Sequence, residues 1–202
     1  MPPAWASRTS FRCADGLRLP AGLSTRLAAR RTDATSKGHH LAEPLDRYDA
    51  ELTTPEMVIL EMDAADKLDA TRQLAERLHA AGRISDLKGF LEHVNAREHQ
   101  LATGLPGGIG LPHARSEFVS RTSIAVGITK YGRALDFGAA DGPATVILLI
   151  ATPASSFSEH LEVLATLARS LSKESFRESL RRAYDAEVIA ELINSSLVFF
   201  DH

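Results

Sequence analysis

The run Thr145-Val146-Ile147-Leu148-Leu149-Ile150-Ala151 limits the possible folds more than any other stretch of the chain. Successive side chains of a strand point to opposite faces, so a run without polar alternation needs an apolar layer on each side. That is the pattern of a central strand in a parallel or mixed sheet, buried on both faces.

The flanking segments can supply those layers. Met57 to Met62 is a short apolar run and reads as a strand, and Thr122 to Thr129 alternates moderately as another. Asp63 reads as the cap of a helix from Ala64 to about Ala81, with Leu68, Thr71, Leu74, Ala75 and Leu78 on one face. Gly82 ends it. Ser85 or Asp86 opens a second helix whose apolar stripe is Leu87, Phe90, Leu91, Val94 and Leu101. Leu135-Asp136-Phe137 and Asp141-Gly142-Pro143 read as an extended piece followed by a turn. Ser156 or Ser158 begins a long helix with Phe157, Leu161, Leu164, Leu167, Ala168 and Leu171 inward. Glu174 to Arg182 and Asp185 to Ser195 read as two closing helices. The expected fold is α/β: a mixed β-sheet of about four to five strands with helices packed on both faces, preceded by a disordered N-terminal tail.

The tail differs in composition. Up to Thr32 there are six arginines against one acid, Asp15, and hydrophobic periodicity is poor. No continuous apolar core of signal-peptide type is present. An arginine-rich, acid-poor start is compatible with a transit peptide, but a disordered tail or translated leader sequence fits better. The expected division is therefore an N-terminal extension over 1–51 and one domain over 52–202. With 44% hydrophobic residues, the chain can bury a core of ordinary size. A net charge of −3 gives no sign of a nucleic-acid binder. No apolar run approaches the length needed to span a bilayer. Cys13 is the only cysteine, which excludes an internal disulfide and a cysteine-based metal site, and fits a reducing, cytoplasmic setting.

Thr103-Gly104-Leu105-Pro106-Gly107-Gly108-Ile109-Gly110-Leu111-Pro112-His113-Ala114-Arg115 carries the chemistry-bearing pattern. Glycines permit tight turns and close approach of a partner. Pro112 removes a donor, so a strand there should end or sit at an edge. His113 is thereby pinned at a strand end, and histidine is the side chain whose ordinary pKa lies nearest neutrality. Arg97, His113 and His160 stand out together, 16 and 47 residues apart. Taken singly, each has a structural reading: Arg97 complements a helix dipole, and His160 is a half-buried helix residue beside Leu161. His79, His93 and His99 read as surface residues, and no histidine pair has metalloprotease spacing.

From about Leu52 to Ser195 the sequence resembles the enzyme IIA domain of the fructose–mannitol type, from the bacterial phosphoenolpyruvate-dependent sugar phosphotransferase system. The resemblance is carried by Arg97-Glu98, Thr103-Gly104, Gly108-Ile109-Gly110-Leu111-Pro112-His113-Ala114-Arg115, Asp136-Phe137, Asp141-Gly142-Pro143 and the block from His160-Leu161 to Leu167-Ala168. Most members read Gly-Ile-Ala-Ile-Pro-His, so Gly110-Leu111 is a mild departure.

The resemblance implies that His113 accepts a phosphoryl group from phospho-HPr and passes it to a cysteine of enzyme IIB, with membrane enzyme IIC an indirect partner. It implies that His160 and Arg97 support His113, and that no cofactor or metal is needed. Thr103 and Arg115 are candidates for orienting the imidazole or stabilising the phosphoryl group. An apolar collar of Ile109, Leu111 and Phe118 would serve partner docking. A nitrogen-type regulatory relative, whose phosphorylation state controls target binding, would use the same chemistry. That chemistry asks mainly for positioning and charge: a neutral imidazole nucleophile, a fixed guanidinium and an N–H donor facing the transferred oxygens.

Overall fold

The computed structural model describes residues 51–198. The expected extension over 1–51, with Cys13, lies outside the described residues save for Glu51. A short 3-10 turn, Pro55–Met57, leads into strand β1 (Val58–Met62). Helices α1 (Lys67–Ala80) and α2 (Leu87–Gln100) follow. Then come four strands: β2 (Gly104–Leu105), β3 (Ile109–Gly110), β4 (His113–Ser116) and β5 (Ser123–Thr129). Strand β6 (Val146–Pro153) precedes helices α3 (Phe157–Ser172), α4 (Glu174–Arg182) and α5 (Ala186–Val198).

The sheet is mixed, ordered β1-β5-β6-β3-β2, with β4 also on β6. β6 is its spine: antiparallel to β5 on one edge, parallel to β3 and β4 on the other. Six strand segments form where about four to five strands are expected, because Pro112 divides one strand in two. Ile109 and Gly110 pair with Val146 and Ile147, and His113 to Ser116 pair with Ile150 to Pro153. Pro112 has no N–H to give, but its carbonyl still accepts the Ile150 N–H at 3.0 Å. The break therefore changes the backbone path without freeing the strand from the sheet, and His113 opens the second segment.

The run that limits the fold is buried on both faces. Ile147, Leu149 and Ala151 join the core under α1 and α2, with Leu74, Leu78, Phe90 and Phe137. Val146, Leu148 and Ile150 join the core under α3, α4 and α5, with Leu167, Leu171, Leu180 and Ile193. Burying each such aliphatic side chain contributes about 1.5–3 kcal/mol, so the alternation along β6 secures both helical layers at once.

Three local expectations are corrected. Helix α1 starts at Lys67, because Asp66 rather than Asp63 accepts the Asp69 N–H, at 2.9 Å. Leu68 then lies in the first turn and is 52% exposed. Asp86 caps α2 by accepting the Lys88 and Gly89 N–H groups, and Leu101, just past that helix, is 65% exposed rather than part of its apolar stripe. In α3 the inward face runs through His160, Val163, Thr166, Leu167 and Leu171. Phe157 and Leu161 are 55% and 50% exposed, and Ala168 is also exposed. The inward stripe includes a polar residue, His160, held by a partner on the sheet.

Candidate active site

The break at Pro112 also sets the imidazole of His113. Its Nδ1 lies 2.8 Å from the Leu111 carbonyl oxygen. A carbonyl only accepts, so Nδ1 carries the proton and Nε2 keeps its lone pair. The residue is buried, 9% exposed. Burial pushes its pKa below the ordinary 6.5 and the Arg97 charge adds to this, while the Leu111 carbonyl and Glu98 pull the other way. His113 is therefore neutral at pH 7, with the Nε2 lone pair unprotonated.

His160 reaches the same place from the other side of the strand break. It sits in the first turn of α3, with Nδ1 3.1 Å from Thr152 Oγ1. Thr152, fully buried near the end of β6, is the register partner of Arg115 on β4. The two imidazoles are 5.5 Å apart, centroid to centroid, and tilted by 43°. Burial, then the neighbouring His113, Arg115 and Arg97, push the His160 pKa down to about 4. It is neutral at pH 7 and offers hydrogen-bonding nitrogen rather than charge.

The charge comes from two arginines. Arg97, in the last turn of α2, donates from Nη1 to the Leu101 carbonyl at 3.3 Å and makes no ion pair among the described residues. Its field reaches both histidines. The Arg115 guanidinium lies 4.7 Å from the centre of the exposed Phe157 ring, a cation–π contact that anchors it near His160.

Three sequence expectations are corrected here. Thr103 does not hydrogen-bond the imidazole: its hydroxyl donates to Glu98 Oε2 at 2.5 Å, and its carbonyl accepts the Leu111 N–H at 3.0 Å. Ile109 and Leu111 are no collar, being buried in the α3–α5 core. The large exposed apolar side chains on α3 are Phe157 and Leu161 instead. Phe118 stacks on His93 at 5.8 Å, and His93, half-buried rather than free on the surface, is 2.9 Å from Ser116 Oγ. The residues that sequence reasoning missed are Thr152, Glu98 in its buried role and the Leu111 carbonyl. Thr152 carried one signal: a hydroxyl directly after the apolar run Val146 to Ala151.

Among the described residues, no group of three His, Cys, Asp or Glu is placed to hold a metal ion, and no helix is long and apolar enough to cross a membrane.

A buried neutral histidine on a broken strand, a second histidine against it and a guanidinium with no ion pair among the described residues are brought together on one α/β sheet. The chain belongs to the family described as "Phosphoenolpyruvate-dependent sugar phosphotransferase system, EIIA 2", whose model matches residues 51–196. It is 34% identical over 151 residues to the PTS system fructose-specific EIIA component of Haloferax volcanii, covering 74% of this chain and 97% of that protein. It is 32% identical over 145 residues to the PTS system fructose-specific EIIABC component of Bacillus subtilis, covering 71% of this chain but only 22% of that longer protein. Among solved structures it resembles the nitrogen regulatory protein IIA-Ntr of Neisseria meningitidis, with a TM-score of 0.65 and 29% identity over 71% of this chain and 97% of that one. It also resembles IIA mannitol of Escherichia coli, with a TM-score of 0.59 and 26% identity over 70% and 98% of the two chains.

Proposed function

We propose that the protein is a histidine phosphocarrier that takes a phosphoryl group from phospho-HPr on Nε2 of His113 and delivers it to an enzyme IIB cysteine during sugar uptake. The observation that carries this reading is the Nδ1–H of His113 bound to the Leu111 carbonyl, which leaves Nε2 as the free nucleophile. Nε2 attacks phosphorus, the donor N–P bond breaks, and its electron pair returns to the donor imidazole. The proton on Nδ1 stays against the Leu111 oxygen, so the positive charge that the ring gains faces a carbonyl dipole. In the second step the IIB thiolate attacks, an S–P bond forms and the N–P pair returns to His113. Arg97 supports the charge on the transferred oxygens, and His160, oriented by Thr152, supplies hydrogen bonding. Arg115, Phe157 and Leu161 give partners an exposed cationic and apolar rim. Similarity to the fructose-specific EIIA component supports a fructose-type sugar as the cargo of the system.

A second reading follows from the similarity to IIA-Ntr: a nitrogen-type regulator whose phosphorylation state controls binding to target proteins. The test for the first reading is transfer of label from phosphoenolpyruvate through enzyme I and HPr, followed by addition of a fructose-type IIB. Label on His113 that is absent in His113→Ala and moves onto IIB supports uptake. Label on His113 that IIB does not draw off supports the regulator. Label that persists in His113→Ala overturns the site.

A further inference from the structure

Glu98 is a carboxylate only 9% exposed, one residue from Arg97, and it takes no part in the bond-making steps described above. Both of its oxygens are occupied. Lys67, the first residue of α1, places Nζ 3.0 Å from Oε1, and the Thr103 hydroxyl donates to Oε2 at 2.5 Å. The line continues through the backbone: the Thr103 carbonyl accepts the Leu111 N–H at 3.0 Å, and the Leu111 carbonyl accepts the His113 Nδ1–H at 2.8 Å. Four hydrogen bonds thus join the start of α1 to the imidazole. Pro112 lies between Leu111 and His113 and has no N–H of its own to fix that turn. The Leu111 peptide depends on Thr103 for its amide partner, and the Thr103 side chain depends on Glu98.

We propose that Glu98, clamped between Lys67 and Thr103, is a positioning residue that fixes the Leu111 carbonyl and so the tautomer and orientation of the His113 imidazole. Saturating Glu98 has a second consequence. A carboxylate next to Arg97 in sequence would otherwise be its ready partner, but with both oxygens engaged elsewhere it leaves the guanidinium free for an anion. Lys67 cancels the charge of Glu98, so the clamp adds no net repulsion toward an incoming phosphoryl group. This role in transfer rests on the phosphocarrier reading, whereas the effect on the imidazole does not.

The test uses the full chain with Thr103→Val, which keeps the shape and removes the hydroxyl, Thr103→Ser, which restores it, and Lys67→Met. Long-range proton–nitrogen NMR reports which nitrogen of His113 carries the proton, and rapid-quench labelling by phospho-HPr reports transfer. Thr103→Val and Lys67→Met should each move His113 away from a pure Nδ1–H tautomer and lower the acceptance rate about tenfold, with the KM for donor within about twofold. Thr103→Ser should restore both readouts. An unchanged tautomer in Thr103→Val and Lys67→Met, or no restoration by Thr103→Ser, overturns the proposal. If the tautomer responds but the unmodified protein takes no label from phospho-HPr, the positioning role stands and the phosphocarrier reading fails.

Discussion

The His113 and His160 rings stand 5.5 Å apart although 47 residues separate them in sequence. Strand β6 makes the meeting: it carries the ladder partner of His113, Ile150, and two residues later the hydroxyl that holds His160. Keeping both rings neutral has a stability consequence. The folded His160 has its pKa pushed down to about 4, against 6.5 for an ordinary histidine. Between those values the unfolded chain binds a proton that the folded chain does not, so stability rises with pH across the window. Its full contribution is present above about 6.5 and is lost as the pH falls toward 4. Urea unfolding from pH 7 to 4 should therefore show a steeper loss in the native protein than in His160→Gln. Parallel profiles would contradict the buried, neutral state.

On the phosphocarrier reading the same burial governs the rate. Because the His113 pKa lies below its ordinary value, the imidazole stays unprotonated in mildly acid solution. Labelling by phospho-HPr, measured with donor held constant, should stay level from pH 8 down to about 6.5 and fall only at more acid values. A midpoint above that of an ordinary histidine would show that His113 is not desolvated.

Replacing His160 separates support from packing. His160→Asn should slow transfer by about 100- to 1,000-fold, the usual loss for one oriented donor. Thr152→Val, which removes only the hydroxyl facing Nδ1, should slow it in the same direction. Rapid-quench rates beside thermal melts give the comparison; a melting loss that accounts for the whole activity loss would make His160 structural.

Gly110 departs from the alanine that the resemblance leads one to expect, and Phe137 explains it. A Cβ at Gly110 would lie 2.6 Å from the Phe137 ring, which is 1% exposed and cannot swing away into solvent. Gly110→Ala should destabilise by about 1–3 kcal/mol through overpacking, despite a small gain from a stiffer unfolded chain. Phe137→Leu in the same chain should recover part of the loss. Equal denaturant midpoints for Gly110→Ala and the native protein would refute the contact.

Two adjacent residues of β6 test the layers. Ile147 faces the α1–α2 core and Leu148 the α3–α5 core, and both are fully buried. Ile147→Ala and Leu148→Ala should each cost about 2–5 kcal/mol in chemical denaturation. A loss below about 1 kcal/mol for either would mean that its face is not covered.

Much of the architecture was written in local patterns. The apolar run before Thr152 demanded cover on both faces, Pro112 demanded a break, and Gly82 demanded a helix end; each acts through its own backbone or side chain. Choices among near-equal local options were not legible. Asp63 and Asp66 are both good caps by residue type, and the folded chain uses Asp66. On α3, Phe157, Leu161 and Ala168 fit an inward stripe by spacing, but the Thr152 hydroxyl drew His160 inward and left them outside.

The sequence by itself determined the layers and the residue types at the site: a histidine after a proline, a second histidine on a helix, an arginine at a helix end. Only the tertiary structure decided their states. Which nitrogen of His113 is protonated depends on the Leu111 carbonyl, and every residue carries a carbonyl, so nothing in the sequence marks this one. The neutrality of His160 depends on burial and on three neighbours from other elements. Periodicity and capping are properties of consecutive residues, whereas hydrogen bonds and desolvation belong to groups that folding brings together.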